Sequence, residues 1–227
     1  MGTVLFGLDL YRGYRLITQA YRHLFPRTPH DSRFHRVLGN ASLLLACLAR
    51  ELANPKAKLF VVDLKPIPLA RGHRIPTYAL PQAAVGRGPL GGFSGFALAA
   101  VMDEGGCFVR WSILPGNARE TWAEPLVADL PRFALVLGDR GFRWVEGVKT
   151  PPYRLRGGRR VETGWKPFMG RVRNGIETRF SMLVRSFGLH RLESKRFRSL
   201  LTRVNLILLA HNLVRSHALL RIAGVES

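Results

Sequence analysis

The sequence has few acidic residues. Only 15 of its 227 residues are Asp or Glu, against 35 Lys and Arg, so the formal net charge is +20. A surplus of that size opposes a compact state unless a polyanion offsets it. Nucleic acid is one such partner, through phosphate neutralisation and counterion release. A ribosomal partner or an anionic membrane surface would suit an equally basic chain, so the charge by itself indicates only a polyanion.

Cysteines and long apolar runs are also scarce. The two cysteines, Cys47 and Cys107, lie in apolar surroundings outside any Cys-x-x-Cys pattern, which predicts two buried thiols in a reducing compartment. The longest apolar runs, residues 43–49 and 206–210, are too short to span a bilayer. The first residues show no cleavage-site pattern, so we expect no signal peptide and no membrane partner.

Several common catalytic and cofactor motifs are missing. The chain has no Walker loop, no G-x-G-x-x-G and no G-x-S-x-G, and its seven histidines form no convincing zinc pattern. The sequence therefore gives no local support for a nucleotide-binding loop, a dinucleotide fold, a nucleophile elbow or a zinc site.

What the chain does have is enough apolar residues, 47%, to bury a core. Its basic surplus is uneven: residues 140–227 hold 19 basic and 5 acidic side chains, against 16 and 10 in residues 1–139. We therefore expect the polyanion to lie against the C-terminal part.

The N-terminal part reads as helical. Residues 9–53 carry apolar side chains near helical spacing, interrupted at Pro26 and Pro29, and Asp31 or Ser32 is placed to cap the second helical stretch. Such basic helices suit either a small DNA-binding unit or a helical appendage packed on the main domain.

The rest alternates between strand and helix patterns. Two apolar runs end in an acid, at Asp63 and Asp139, and residues 93–114 predict a hairpin between them. Within 58–68 we predict a buried strand that ends at Asp63 and is followed by prolines. The remaining predictions are a loop over 69–92, a helix over 117–130, a basic loop over 149–170 and helices from 171 and over 196–220. This order predicts an α/β domain with a mixed sheet.

Most of the few acids have a simple structural explanation. Asp103 and Glu104 fit the hairpin turn, whereas Glu120, Glu124 and Asp129 fit the exposed face of the 117–130 helix. Asp63 and Asp139 are harder to explain. On adjacent parallel strands their carboxylates would meet at one sheet edge and repel each other unless a divalent cation bridged them. Turn formation is the alternative explanation for Asp139.

Glu177 is the candidate for a third ligand. It lies one residue from an apolar helical face, with Arg173 and Ser181 one turn away on its own side. The alternative is that Glu177 only pairs with Arg173 or Arg179. The face itself consists of Ile176, Phe180, Leu183, Val184 and Phe187.

With these residues in place, the chain resembles the DDE transposases of bacterial insertion sequences. Asp63, Asp139 in "GDRGF" and Glu177 in "RNGIETRFSMLVRSFGLHRL" match the acidic triad, at separations of 76 and 38 residues. The segments "YRHLFPRTPHDSRFHR", "FSGFALAAVMDEGGCFVRWSILPGNARE" and "FRSLLTRVNLILLAHNLVR" resemble further parts of that family, so the likeness covers roughly residues 20–215.

The chain departs from the family pattern in two places. The second strand lacks the Lys and His that many relatives carry. Around Glu177, Arg173 matches the pattern Tyr-x-x-Arg-x-x-x-Glu-x-x-x-x-x-x-Lys, but the Tyr and Lys are absent. The residues at the four departing positions are Ala97, Ala99, Gly170 and Val184. The departures concern strand-positioning roles and leave the triad intact, and the N-terminus looks short for the family.

The resemblance implies a ribonuclease-H-like fold, with a helical N-terminal region over 1–55 and a catalytic domain over 56–220. It implies that Asp63, Asp139 and Glu177 hold two Mg²⁺ or Mn²⁺ ions and catalyse cleavage and strand transfer on element ends and target DNA. A cytoplasmic, nucleoid-associated homo-oligomer on DNA is then expected. The basic residues expected to bind the DNA backbone are Arg140, Arg143, Arg159, Arg160, Lys166, Arg171 and Arg173.

Two rival functions stay open. One is a truncated or domesticated remnant that only binds DNA. The other is a ribonuclease-H-like nuclease that cuts without strand transfer.

Overall fold

The computed structural model describes residues 10–71, 80–88, 90–151, 167–192, 194 and 196–222. Within these ranges no helix is long and apolar enough to cross a membrane. The elements, in chain order, are α1 (Leu10–Gln19), α2 (Asp31–Asn40), α3 (Ser42–Glu51), β1 (Leu59–Arg71), β2 (Ala84–Gly88), β3 (Gly91–Asp103), β4 (Phe108–Pro115), α4 (Glu124–Ala128), β5 (Leu135–Leu137), β6 (Val148–Lys149), α5 (Pro167–Arg185) and α6 (Phe197–Ile222).

The six strands form one mixed sheet. β1 is central: it pairs antiparallel with β3 on one side and parallel with β5 on the other, and β6 continues parallel beyond β5. The far edge of β3 is shared, since β2 pairs with its first residues and β4 with the rest. The predicted mixed α/β sheet flanked by helices is confirmed, and the arrangement fits the expected ribonuclease-H-like fold.

The two faces of β1 are buried against different layers. Successive side chains of a strand point to opposite faces. Leu59, Val61 and Ile67 join the core cluster that contains α5 and α6. Phe60 and Val62 face the other way and pack with the α4 side of the molecule. Burying both faces explains why residues 59–62 form a continuous apolar run rather than an alternating one.

Helix α3 is attached to α6 through polar contacts inside the core. Asn205 Nδ2 donates to the carbonyl of Ser42 at 3.0 Å, and Asn212 Nδ2 donates to the carbonyl of Ala49 at 2.8 Å. Asn205 and Asn212 are buried, so these bonds satisfy groups that would otherwise lose their partners on folding.

The division into regions 1–55 and 56–220 stays a prediction.

Three predictions about strands and loops were wrong. β1 does not end at Asp63 but runs on to Arg71, because its second half pairs with β3 as far as Phe93. The predicted loop over 69–92 contains β2. The predicted helix over 117–130 is a 3-10 turn followed by the short α4.

Two local predictions also failed. Cys107 is buried as expected, and burial raises the pKa of its thiol to about 12, but Cys47 is exposed because the buried face of α3 is Ser42, Ala46 and Ala49. Neither Asp31 nor Ser32 caps α2: its N-cap is His30, which forms no side-chain capping bond. The predicted hairpin, the long helices near 171 and 196, and the apolar face of α5 are confirmed.

Candidate active site

Strand register brings Asp63 and Asp139 to the same level of the sheet. The parallel pairing aligns Leu59 with Leu135 and Val61 with Leu137. Continued by two residues, the same offset of 76 sets Asp63 opposite Asp139, just where β5 ends. Asp63 also lies on the same face as Val61, the face that α5 and α6 cover.

A tight turn fixes Asp139 immediately after β5. Its carboxylate accepts a hydrogen bond from the backbone N–H of Gly141 at 2.9 Å and so caps the 3-10 turn Arg140–Trp144. Gly138 leaves no room for a side chain, since a Cβ there would stand 2.8 Å from Val148 and 2.9 Å from Phe142. The turn interpretation of Asp139 is therefore correct. The same hydrogen bond fixes the orientation of the carboxylate, which is compatible with a further role.

Asp63 is half-buried in the sheet and sits in a strongly unfavourable environment for a charge. Burial, and then the negative charges of Asp139 and Glu177, raise the pKa of Asp63 to about 6, although the N–H of Leu64 at 2.8 Å and the charge of Arg173 oppose the rise. The charges of two acids that are far from Asp63 in sequence thus act on its carboxyl group at this sheet edge.

Glu177 reaches this edge from α5. The helix is anchored by Ile176 and Phe180, which are almost completely buried, and Glu177 lies beside that face with an exposed side chain. Arg173, one turn earlier, donates to its carboxylate at 3.2 Å. The expected position of Arg173 beside the acids is confirmed, and so is the simpler expectation that Arg173 pairs with Glu177.

The acids do not form a finished metal site in this conformation. Among the described residues, no group of three or more carboxylate, imidazole or thiol side chains is arranged so that it could hold a metal ion. In this conformation Glu177 is instead paired with Arg173 at 3.2 Å. The predicted separation of all three carboxyl groups within about 8 Å stays a prediction.

The basic residues expected to bind DNA fall into two groups. Arg140, Arg143 and Arg171 are exposed, and the Arg143 guanidinium lies 4.9 Å from the ring centroid of the exposed Trp144. Arg173, also of the described group, is partly buried and pairs with Glu177. The other three, Arg159, Arg160 and Lys166, lie outside the described residues.

Glu120 contacts the loop that follows Asp139, and the sequence prediction placed it wrongly. It is half-buried, not on an exposed face, and a Cβ on Gly141 would stand 2.5 Å from its carboxyl carbon. The "GDRGF" loop therefore packs against Glu120. The one available signal was the second glycine of that motif, which marks a close approach. Glu124 and Asp129 are exposed as predicted, and Asp129 pairs with Arg110 at 2.7 Å.

A ribonuclease-H-like sheet with acids at β1, after β5 and on α5 is the arrangement expected of a DDE enzyme. The family model "Transposase DDE domain" matches residues 54–213, and the chain belongs to that family. This confirms the resemblance to DDE transposases. The search of curated proteins found no match. Among solved structures, a pre-cleavage Mos1 transpososome matches at 10% identity and a TM-score of 0.27, covering 85% of this chain and 64% of that one.

Proposed function

We propose that the chain is a transposase that binds the ends of an insertion sequence and catalyses metal-dependent DNA cleavage and strand transfer. Asp63, Asp139 and Glu177 are the catalytic acids in this proposal. The observation that carries it is the parallel register of β1 and β5, which sets Asp63 opposite Asp139; the charges of Asp139 and Glu177 are, after burial, among the causes that raise the pKa of Asp63. A cation that binds where carboxylates repel one another at one sheet edge lowers that repulsion, so its binding there is favourable.

The chemistry of the donors fits Mg²⁺ or Mn²⁺. All three are carboxylates, the oxygen ligands that hard divalent cations prefer, and neither cysteine is among them. Asp63, Asp139 and Glu177 would hold the ions, and the resemblance to DDE transposases implies two of them. Bound there, such ions stabilise the attacking and leaving oxygens of an in-line displacement at a DNA phosphodiester.

The residues of the chain prepare the site in different ways. Asp63 is rigid because it belongs to the central strand, and Asp139 is oriented by the N–H of Gly141. Glu177 is exposed and held by one exposed-surface ion pair, a kind of contact worth roughly 0–1 kcal/mol. Turning Glu177 away from Arg173 therefore costs little, and Arg173 is then available to a DNA phosphate.

DNA is the proposed polyanion, and assembly into a homo-oligomer on DNA is part of the proposal. The exposed Arg140 and Arg143, with Arg173, would contact the DNA backbone beside the acids, and the exposed Arg171 would contact it elsewhere along α5. A nuclease that does not join strands differs only in its product, so an assay for joined DNA separates that alternative.

The second candidate is a remnant that binds DNA without cutting it. The absence of a three-acid metal group among the described residues favours this candidate. Titration with Mn²⁺ separates the two: saturable binding of metal that is lost in Asp139→Asn supports the enzyme, and no binding supports the remnant.

The direct test of the enzyme is cleavage of DNA that carries the element's ends. Asp63→Ala and Asp139→Ala should abolish Mg²⁺-dependent cleavage and leave DNA binding largely unchanged. Glu124→Ala, at an exposed acid of α4, is the matched control and should cleave normally. Cleavage retained by Asp139→Ala would reject the triad.

A further inference from the structure

Three arginines line a cleft at the other side of α5. The cleft has a volume of about 460 Å³ and lies between the turn that joins β3 to β4, helix α5 and helix α6. Arg171 and Arg179 come from α5 and Arg215 comes from α6.

Two of the three guanidinium groups are brought close together. A Cβ built on Gly106, in the hairpin turn, would stand 3.0 Å from Nε of Arg179 and 3.2 Å from Nε of Arg215. Gly106 has a φ of +85°, so the turn itself requires glycine there. Because Gly106 has no side chain, the guanidinium groups of Arg179 and Arg215 can both lie against this point of the turn.

The contacts of Arg179 and Arg215 with the described residues offset little of their positive charge. Arg215 donates from Nε to the carbonyl of Gly105 at 2.6 Å, and Arg179 contacts the sulfur of Met182, a weak acceptor, at 3.2 Å. Burial and the charge of Arg215 lower the pKa of Arg179. Two guanidinium groups that repel each other in a partly buried cleft are stabilised by an anion placed between them.

The acids at the cleft do not provide that anion. Asp103 accepts hydrogen bonds from the backbone N–H groups of Asn54, in the segment before β1, at 2.8 Å and of Cys107, in the turn, at 2.9 Å, so both of its carboxylate oxygens are engaged by the backbone. Glu104 also lines the cleft. Among the described residues, no ion pair joins any carboxylate to Arg171, Arg179 or Arg215.

The cleft is separate from the candidate active site, although both border α5. At 100° per residue, Arg171 and Arg179 lie on one side of the buried stripe of Ile176 and Phe180, and Glu177 lies on the other. Along β3, the turn begins three residues, about 10 Å, beyond Ala100, which pairs with Asp63.

We propose that the cleft of Arg171, Arg179 and Arg215 binds a backbone phosphate of a DNA strand that lies outside the cleavage site. The inference rests on the proposed function, because it takes the polyanion to be DNA. Planar guanidinium groups bind phosphate oxygens in pairs, and two of them converging on one point suit a single phosphodiester. Gripping the DNA on both sides of α5 would fix the duplex relative to the acids.

The test is the salt dependence of DNA binding by the double variant Arg179→Gln/Arg215→Gln. Binding to a duplex is measured by fluorescence anisotropy without divalent ions, over a series of NaCl concentrations. Each phosphate contact contributes about 0.9 to the slope of log K against log [salt]. We expect the variant's slope to be smaller by about that amount and its affinity to fall several-fold. Arg132→Gln, at an exposed arginine before β5, is the control and should behave as the wild type.

Two further measurements keep the result interpretable. Removing repelling charges should leave the melting temperature unchanged or raised, and inorganic phosphate should raise that of the wild type more than that of the variant. If the double variant does not fold, Arg171→Gln, an exposed position of the same cleft, takes its place.

An unchanged slope in a folded variant, an equal loss in Arg132→Gln, or a wild type that binds no duplex would each overturn the inference. A wild type that binds DNA with the expected slope difference but never cleaves it would instead overturn the proposed function alone.

Discussion

The two sides of α5 carry charges of opposite sign, and on each side charges of the same sign lie close together. On one side, Asp63 lies close enough to Asp139 and Glu177 for their charges to raise its pKa. On the other, Arg179 and Arg215 approach each other at Gly106. In both places the buried frame holds like charges together, and among the described residues the opposite charges are fewer. Under the functions proposed above, each side would take a counterion from outside the chain: a divalent cation at the acids and a phosphate at the arginines.

The two sides differ in how much the chain relieves its own repulsion. Arg173 pairs with Glu177 at 3.2 Å, and its charge opposes the rise in the pKa of Asp63. Arg179 has a sulfur atom and Arg215 a backbone carbonyl instead of a carboxylate. The following predictions change one side at a time.

The largest effect is expected on cleavage by Glu177→Gln. The change keeps the shape of the side chain and removes the charge that would hold a cation. We expect metal-dependent cleavage to fall by at least about 100-fold, since even outer-shell changes at metal sites cost 10–100-fold. The free energy of unfolding should change by less than about 0.5 kcal/mol, because only an exposed ion pair is lost. Glu124→Gln is the control, and a Glu177→Gln enzyme that cleaves normally would exclude Glu177 from the site.

The next effect concerns the loop that holds Asp139. In Gly138→Ala, the new methyl group would meet Phe142 and Val148 at less than 3 Å, and Phe142 is fully buried. We expect the free energy of unfolding to fall by about 1–3 kcal/mol, as for other overpacked core positions, together with cleavage. Urea unfolding measures the first quantity. Gly147→Ala is the comparison variant. A Cβ there would meet nothing within 4 Å, but Gly147 has a φ of +79°, so any loss of stability would come from backbone strain rather than from a clash.

A gain of stability is expected when the repulsion at Asp63 is removed. Its pKa is raised from 3.8 to about 6 on folding, so the folded state binds more protons than the unfolded state between these values. The contribution of Asp63 to the free energy of unfolding is therefore greatest below pH 3.8 and is lost as the pH rises through about 6. Asp63→Asn should raise the free energy of unfolding by about 1–2 kcal/mol at pH 7.5 without metal, and by little at pH 4. An equal gain at both pH values would contradict this account.

The smallest effect is expected on the arginine side. Arg179→Gln should raise the free energy of unfolding by a few tenths of a kcal/mol at low salt, because it removes one of two repelling cations. The gain should disappear near 1 M NaCl, where the screening length is about 3 Å. A loss of stability at both salt concentrations would mean that packing of the Arg179 stem matters more than its charge.

The sequence predicted those parts of the fold that depend on local pattern. The hairpin, the apolar face of α5 and the acids beside neighbouring strands follow from residue spacing. The full length of β1 and the existence of β2 could not be predicted in this way, because both depend on pairing with distant residues of β3 in a segment rich in glycine and proline.

The same limit applies to the candidate site. The positions of Asp63, Asp139 and Glu177 could be proposed from spacing and family resemblance. The packing of Glu120 against Gly141 and the convergence of Arg179 and Arg215 could not, since neither pair is linked by any sequence pattern. Both arise only when distant segments meet in the folded chain.

The central claim is that Asp63, Asp139 and Glu177 hold divalent metal at one edge of the sheet. Its most direct test is a crystal structure of the chain with Mn²⁺, read by anomalous scattering. The account predicts a peak bound by carboxylate oxygens of Asp63 and Asp139, with Glu177 turned from Arg173 so that the three carboxyl groups lie within about 8 Å, a spacing that metal–oxygen distances of roughly 2–2.6 Å allow. Manganese bound elsewhere, or a Glu177 carboxyl group more than about 15 Å from Asp63 at saturating Mn²⁺, would contradict it, because a packed helix cannot move that far.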